Sequence, residues 1–370
     1  MTLVSMILKS KLSSKAKNHK QMKGYAELLK QVLKDHESGV KSVHQDSRVL
    51  VIDGLNSFIR VFSAVPLVND DGDHIGGSIG FLRSIAAIIR QFSPTRCIIV
   101  FDGKGGSARR KKMHSGYKEG RSLSTRFRRS DEVGEMTAEQ EVESMKLQYG
   151  RLAEYLQCLQ ITLVSVDNIE ADDAIAYIAT DLSENADRVT IMSDDKDFLQ
   201  LVNEKTQVWR PVEKKLYTPT EVLNKFGVPS INYHMYKIFM GDNSDNIKGI
   251  NGIGPKTLQQ KFPILLEDRK IELNDLKDFC ESKKDEHKVY QTVLDNWKTI
   301  ELNNDLMQLH EVDIAGSHKS VIRTLVQNPI PVLDRVAFKR LFMLDKAYTA
   351  IPNVDSWLSN SFQTLNGYRN

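Results

Sequence analysis

The chain has 370 residues, 41% of them hydrophobic, with 51 basic against 48 acidic side chains and a formal charge of +3. That length and apolar content support a full core and exclude a disordered chain, and no window nears the roughly 20 consecutive apolar residues of a membrane span. The near-balanced total says little about partners, so local clusters of charge carry that information.

Residues 1–46 are polar and lysine-rich, with one short amphipathic pattern at residues 25–33, which reads as a partly helical or flexible extension. The N-terminus lacks the uninterrupted apolar stretch and small-residue cleavage site of a signal peptide, so a soluble, cytoplasmic protein is expected. Cys97, Cys158 and Cys280 lie far apart without metal or redox spacing; Cys97 and Cys158 sit in apolar patterns and read as buried thiols.

From Arg48 the pattern becomes short β-branched runs alternating with helical periods, the signature of a mainly parallel sheet covered by helices. Three of these runs end in carboxylates: 49–52 at Asp53, 98–101 at Asp102, and 189–193 at Asp194 and Asp195. In an open α/β sheet the strand carboxyl ends line the ligand crevice, so acids distant in sequence are expected to converge. Helix N-capping explains one such ending easily and three less well.

Between the second and third of these runs lies a basic stretch, 104–129, that includes Arg109, Arg110, Lys118, Arg121, Arg126 and Arg128 and has Glu119 as its single acid. A charge run is usually a solvated face. Hinged directly to an acidic crevice, it also suits a polyanion gripped by one part while its backbone reaches cations held by the other. Tyr117 and Phe127 fit either base stacking or a core. A further strand is expected at 161–166. It precedes a helix at 170–178, where Glu170, Asp172 and Asp173 crowd one turn at a cost that calls for a counter-charge.

The stretch 240–256 (MGDNSDNIKGINGIGPK) sets Asp242 and Asp245 three residues apart, and then Gly252-Ile253-Gly254-Pro255, a tight turn into a helix whose first amides face outward. The acids suit a cation and the turn suits a phosphate. The remainder is mostly helical in pattern, without repeats or low-complexity segments.

In order, residues 51–54, 100–102, 116–121, 170–173, 193–197 and 241–246 with the glycine turn resemble the 5′ nuclease family, which includes 5′–3′ exonuclease domains and flap endonucleases. The resemblance covers about 48–265, and the C-terminal part is similar to the bacteriophage ribonuclease H type. It implies an α/β, PIN-like fold at 47–240 with a mainly parallel central sheet flanked by helices. A helical arch is implied at about 104–134, and a helical part at 241–370 that opens with a helix-hairpin-helix at about 241–262.

The implied activity is structure-specific 5′ nuclease chemistry in DNA replication: 5′–3′ exonuclease, flap cleavage and RNA-primer removal. The metal set implied is Asp53, Asp102, Glu170, Asp172, Asp173, Asp195, Asp197, Asp242 and Asp245, holding two Mg²⁺ or Mn²⁺ ions. The oxygen-only ligand chemistry agrees with that choice. Asp194 falls outside the set and reads as a local cap.

Lys118 and Arg121, with Asp172 and Asp195, form the implied catalytic group. Arg109, Arg110, Lys118, Arg121, Gly249, Gly252, Gly254 and Lys256 form the implied DNA-binding group, with K⁺ at the hairpin. Expected partners are a duplex with a 5′ flap or single-stranded 5′ end and an RNA–DNA hybrid, with a single-strand-binding protein or sliding clamp at the C-terminal part. A monomer of bacteriophage type acting in a host cytoplasm is the implied setting. Competing readings are a non-catalytic branched-DNA-binding protein on the same scaffold and a PIN-type ribonuclease, which lacks the hairpin. A nucleotide-binding protein built on Gly103–Gly106 is the third, and its spacing does not match a P-loop.

Overall fold

A computed structural model describes residues 48–119, 136–362 and 365. Strands β1 (Arg48–Asp53), β2 (Arg96–Val100), β3 (Thr162–Val164), β4 (Arg188–Met192), β5 (Thr206–Arg210) and β6 (Lys215–Tyr217) form one sheet in the order β3-β2-β1-β4-β5-β6. All pairings are parallel except β5 with β6. The last two strands escaped the sequence reading because they are short and laced with Thr206, Gln207, Arg210 and Lys215, which breaks the apolar signal.

The chain winds outward from β1 to β3, then returns to place β4 on the other side of β1. That reversal is a topological switch point, and it opens a crevice at the carboxyl ends of β1 and β4. Register brings the acids there. Asp53 pairs with Val100, so Asp102 follows two residues beyond, and Ile52 pairs with Met192, so Ser193 lies beside Asp53.

Alternation along the strands separates two cores. Val49, Val51, Ile98, Val100, Val189 and Ile191 face one layer, and Leu50, Ile52, Cys97, Ile99 and Met192 face the other. The second layer is covered by α1 (Gly54–Ala64), α2 (Ser78–Phe92) and α4 (Ala138–Gln157), with α3 (Ala108–Met113) lying between α2 and α4 in sequence. The first is covered by α5 (Ala171–Tyr177), α6 (Pro219–Phe226), α7 (Tyr233–Met240) and α8 (Pro255–Lys261). It also takes in α9 (Leu273–Lys283), α10 (Lys288–Asp295), α11 (Trp297–Met307) and α12 (Gly316–Gln327).

Two last helices, α13 (Arg335–Leu344) and α14 (Val354–Ser361), cross to the second layer and bury Phe338, Phe342 and Leu358 against it. Helices beyond residue 240 therefore share both cores of the sheet, and no change of core marks the boundary expected there. Cys97 and Cys158 are buried free thiols, as their apolar settings indicated, and Cys280 is buried as well. Among the described residues no helix is long and apolar enough to cross a membrane. The extension at 1–46 lies outside the described residues.

Candidate active site

Asp53, Asp102, Asp172, Asp194, Asp195 and Lys118 line one crevice of about 420 Å³ at the switch point. A larger cavity of about 990 Å³ lies on another flank, between residues 69–78 and 136–154, away from the strand ends. Each acid of the crevice is aimed by the local chain. Asp53 caps α1 by accepting from the Asn56 N–H at 3.1 Å, and its second oxygen accepts from Ser193 Oγ at 2.9 Å. Asp102 accepts from the Ala171 N–H at 2.8 Å, so it caps α5 from a neighbouring strand and locks the crowded acidic turn to β2. Asp195 accepts from the Asp197 N–H at 2.8 Å. The capping explanation therefore holds for Asp53, which caps the helix after its own strand, whereas Asp102 bonds the start of a helix remote in sequence; in both cases the bond aims the carboxylate and does not compete with convergence.

Buried like charges leave the crevice short of positive charge. Burial drives the Asp53 carboxyl up from an ordinary 3.8 to about 7, with Asp195 and Asp102 adding to the rise against the Asn56 and Ser193 hydrogen bonds. Asp172 is likewise raised well above its ordinary value, first by burial and then by Asp195. Asp197 rises to about 7 through burial and Asp195, although Lys237 opposes it.

The other acids are neutralised by cations of the protein itself. Arg110 is 3% exposed: Nη1 and Nη2 donate to Asp173 at 2.9 and 2.6 Å, Nη1 also meets Glu170, and Nε donates to the Leu306 carbonyl at 2.8 Å. Arg110, expected among the DNA-binding residues, is thus buried with its charge paired to Glu170 and Asp173. Lys118 Nζ lies 2.6 Å from Glu170 Oε1. Burial pushes Glu170 up, but Arg110 and Lys118 more than reverse it, so its carboxyl lies below the ordinary range. Tyr117 is buried, with its hydroxyl 3.4 Å from Glu170, which settles its two readings in favour of the core.

Lys237, on α7, sits between Asp197 Oδ1 at 2.8 Å and Asp242 Oδ2 at 2.7 Å. It overcomes the burial cost and holds Asp242 down at about 2. Part of the positive charge expected at Asp242 is thus supplied by a lysine that the sequence pattern did not single out. Its signal was a lysine on the apolar pattern of 233–240, where a buried cation needs acids.

Arg60 was also missed. It lies 3.4 Å from Asp194 Oδ2, an oxygen that is buried without a hydrogen bond. Asp194 Oδ1 accepts from the Val212 N–H at 2.9 Å, so this acid ties down a distant loop while lining the crevice.

Among the described residues no three His, Cys, Asp or Glu side chains are drawn around one point tightly enough to cage an ion. Arg110, Lys118 and Lys237 hold Glu170, Asp173, Asp197 and Asp242 on their own nitrogens. The donor set nonetheless fits a hard cation: Asp53, Asp102, Asp172 and Asp195 offer only oxygen, and burial beside other acids makes Asp53 and Asp172 resist ionisation.

Asp242 opens a short turn, accepting from the Ser244 N–H at 2.8 Å, and a two-residue hairpin of β7 (Gly241–Asp242) and β8 (Ile247–Lys248) leads to the glycines. Gly249 packs against the Phe239 and Met240 carbonyls, where a Cβ would meet oxygen at 2.4 Å, so close chain approach explains it. Gly252, at φ +81°, and Gly254 face open space, and Pro255 starts α8 with Lys256 exposed. Arg109 is partly exposed, 3.9 Å from Asp173. Arg121, Phe127 and the rest of the predicted arch from 120 to 134 lie outside the described residues.

The family model "5′-3′ exonuclease, N-terminal resolvase-like domain" matches residues 48–227. A 5′-3′ exonuclease of Aquifex aeolicus is 33% identical over 56% of this chain and 66% of its own length. A thermostable DNA polymerase I of Thermus filiformis is 30% identical over 57% of this chain and 23% of its own length. The fold is shared with a bacteriophage T5 flap endonuclease solved in a pseudo-enzyme-product complex with DNA and metal ions. Their TM-score is 0.56, at 20% identity, covering 81% of this chain and 99% of that one.

Proposed function

Through residues 48–227 the chain belongs to the 5′ nuclease family, and we propose that it hydrolyses phosphodiester bonds near the 5′ ends of DNA as a 5′–3′ exonuclease and flap endonuclease. One observation carries the proposal: Asp53, Asp102, Asp172 and Asp195 converge with Lys118 on a crevice whose acids lack positive charge. Asp53, Asp102, Asp172 and Asp195 would hold Mg²⁺ or Mn²⁺, which when bound would supply an activated water and positive charge for the phosphate.

The protein's part is positional. Asp53 and Asp102, held by their caps, present fixed oxygens, and Asp172 and Asp195 complete the rim. Lys118 leaves Glu170 for the scissile phosphate and so adds charge where it develops. Arg121 is assigned the same role by the family resemblance alone, and the open Gly252–Gly254 turn with Lys256 and K⁺ holds duplex backbone, positioning without reading sequence. Asp197 and Asp242, already paired with Lys237, tune the rim from behind.

The direct test is cleavage of matched 5′-flap, nicked and RNA-primed duplexes with and without Mg²⁺. Metal-dependent release of short 5′ products is expected. Tight binding of flap DNA without any cleavage would instead establish the non-catalytic DNA-binding alternative.

A pH prediction follows from the raised carboxyls. Asp53 and Asp197 hold protons in the folded state up to about pH 7, whereas unfolded carboxylates lose them near 3.8. The unfolded chain therefore binds fewer protons between these values, and metal-free stability falls as pH rises from about 4 to 7. Mg²⁺ bound in the crevice must displace the Asp53 proton. Calorimetric titrations near pH 7 in buffers of different ionisation enthalpy should show net proton release, and equal apparent enthalpies in all buffers would contradict it.

A further inference from the structure

The root of the basic segment is fastened to the turn that carries Asp242 and Asp245, and Asn246 takes part in the fastening through both its side chain and its carbonyl. Asn246 Nδ2 donates to the Gly116 carbonyl at 3.0 Å, and the His114 ring nitrogen Nε2 lies 3.1 Å from the Asn246 carbonyl oxygen. The Lys118 N–H donates to the Asp245 carbonyl, also at 3.1 Å. Three bonds thus bind residues 114–118 to residues 245–246 across more than a hundred positions of sequence.

Both sides of this junction adopt unusual backbone. Lys118 is at φ +55° and Asn246 at φ +60°, left-handed conformations that cost energy for residues with a Cβ and persist where surroundings enforce them. Asparagine tolerates that region better than most residues because its short amide bonds locally. Gly116 fits the same design, since a Cβ there would stand 2.8 Å from Asn246 Nδ2 and block the amide from its carbonyl. The left-handed turn at Lys118 is what sends its side chain from the junction to Glu170 at the crevice.

We infer that Asn246 is a positioning residue for Lys118, coupling the turn that leads into the exposed glycines to the lysine of the crevice. The inference rests on the reading of Lys118 as the group that meets the scissile phosphate. Its consequence is mechanical: duplex held at Gly252–Gly254 pulls on a turn bonded to the backbone of Lys118, so seating of the duplex and placement of the lysine are one event. Asn246 itself touches no reacting atom.

Asn246→Gly keeps the left-handed backbone accessible while deleting the amide, which separates the bond from the fold. Amide hydrogen exchange at Lys118 and Glu119 in the DNA-free protein is expected to quicken by roughly tenfold or more, with the melting temperature little changed. Exchange at the wild-type rate overturns the positioning role, whatever the activity.

In single-turnover cleavage of a 5′-flap duplex with Mg²⁺ and saturating enzyme, Asn246→Gly should be slower by about 10- to 100-fold, the scale of a misplaced catalytic group. In the Lys118→Ala background it should cost nothing further. An equal loss in both backgrounds shows that Asn246 acts independently of Lys118 and sinks the coupling. Should Lys118→Ala itself cleave at the wild-type rate, the reading of Lys118 fails, and faster exchange in Asn246→Gly would then mark a structural junction only.

Discussion

Asp172→Asn and Asp195→Asn are each expected to slow metal-dependent cleavage of a 5′-flap duplex by about 10²–10³-fold or more, while the metal-free fold becomes more stable. The two effects share one cause. Asp172 is held well above its ordinary pKa by burial and by Asp195, so the pair repels in the absence of a cation, and an amide removes one of the charges. The same amide takes away an anionic ligand oxygen from the crevice rim. Melting temperatures without divalent ion should rise and Mg²⁺-induced stabilisation should shrink, as mass action links binding to stability. Variants that cleave at the wild-type rate would remove these carboxylates from the chemistry. A lowered metal-free melting temperature would show that they serve the fold instead.

Arg110→Ala is expected to lose about 3–5 kcal/mol of folding stability, since it strands Glu170 and Asp173 as buried carboxylates without their partner. It also deletes the bond from Nε to the Leu306 carbonyl, and with it the tie between α3, α5 and the end of α11. Arg110→Lys keeps a charge but loses the bidentate fork, so a smaller loss is expected. Urea denaturation measures both. Because Arg110 is spent internally, the lysine variant that remains folded should bind flap DNA with the wild-type salt dependence. A slope reduced by about one would return Arg110 to the phosphate backbone.

Packing divides eight of the nine acids that looked alike in sequence into three groups. Glu170 and Asp173 face Arg110 and Lys118, Asp197 and Asp242 face Lys237, and Asp53, Asp102, Asp172 and Asp195 face the crevice. Carboxylate identity and spacing are the same kind of signal in all three groups. The cation each acid meets is decided by packing, and Lys237 reaches Asp197 only because α7 lies against the turn after β4.

Much of the scaffold was legible along the chain. Apolar runs ending in Asp53, Asp102 and Asp194-Asp195 marked three adjacent parallel strands, because a strand buried on both faces must be continuously apolar and its polar ligands must wait for its end. The helix at Ala171–Tyr177 and the glycine turn before α8 were legible for similar local reasons: a crowded acidic first turn, and Gly-Pro at a helix start. Strands β5 and β6 were not, since both are short and interrupted by polar residues, and β6 lies at the sheet edge, where no continuous apolar run is needed.

Local pattern along the chain therefore determined which residues are strand, helix and turn, and which carboxylates stand at strand ends, because backbone periodicity and capping act over a few residues. Tertiary structure alone decided how those charges are shared. It buried Arg110 against Glu170 and Asp173, inserted Lys237 between Asp197 and Asp242, sent α13 and α14 to the far layer, and tied Gly116 to Asn246. Each of these depends on groups far apart in the chain meeting in a low-dielectric interior, where a charge is stable only beside its partner, and no local spacing encodes which partner arrives.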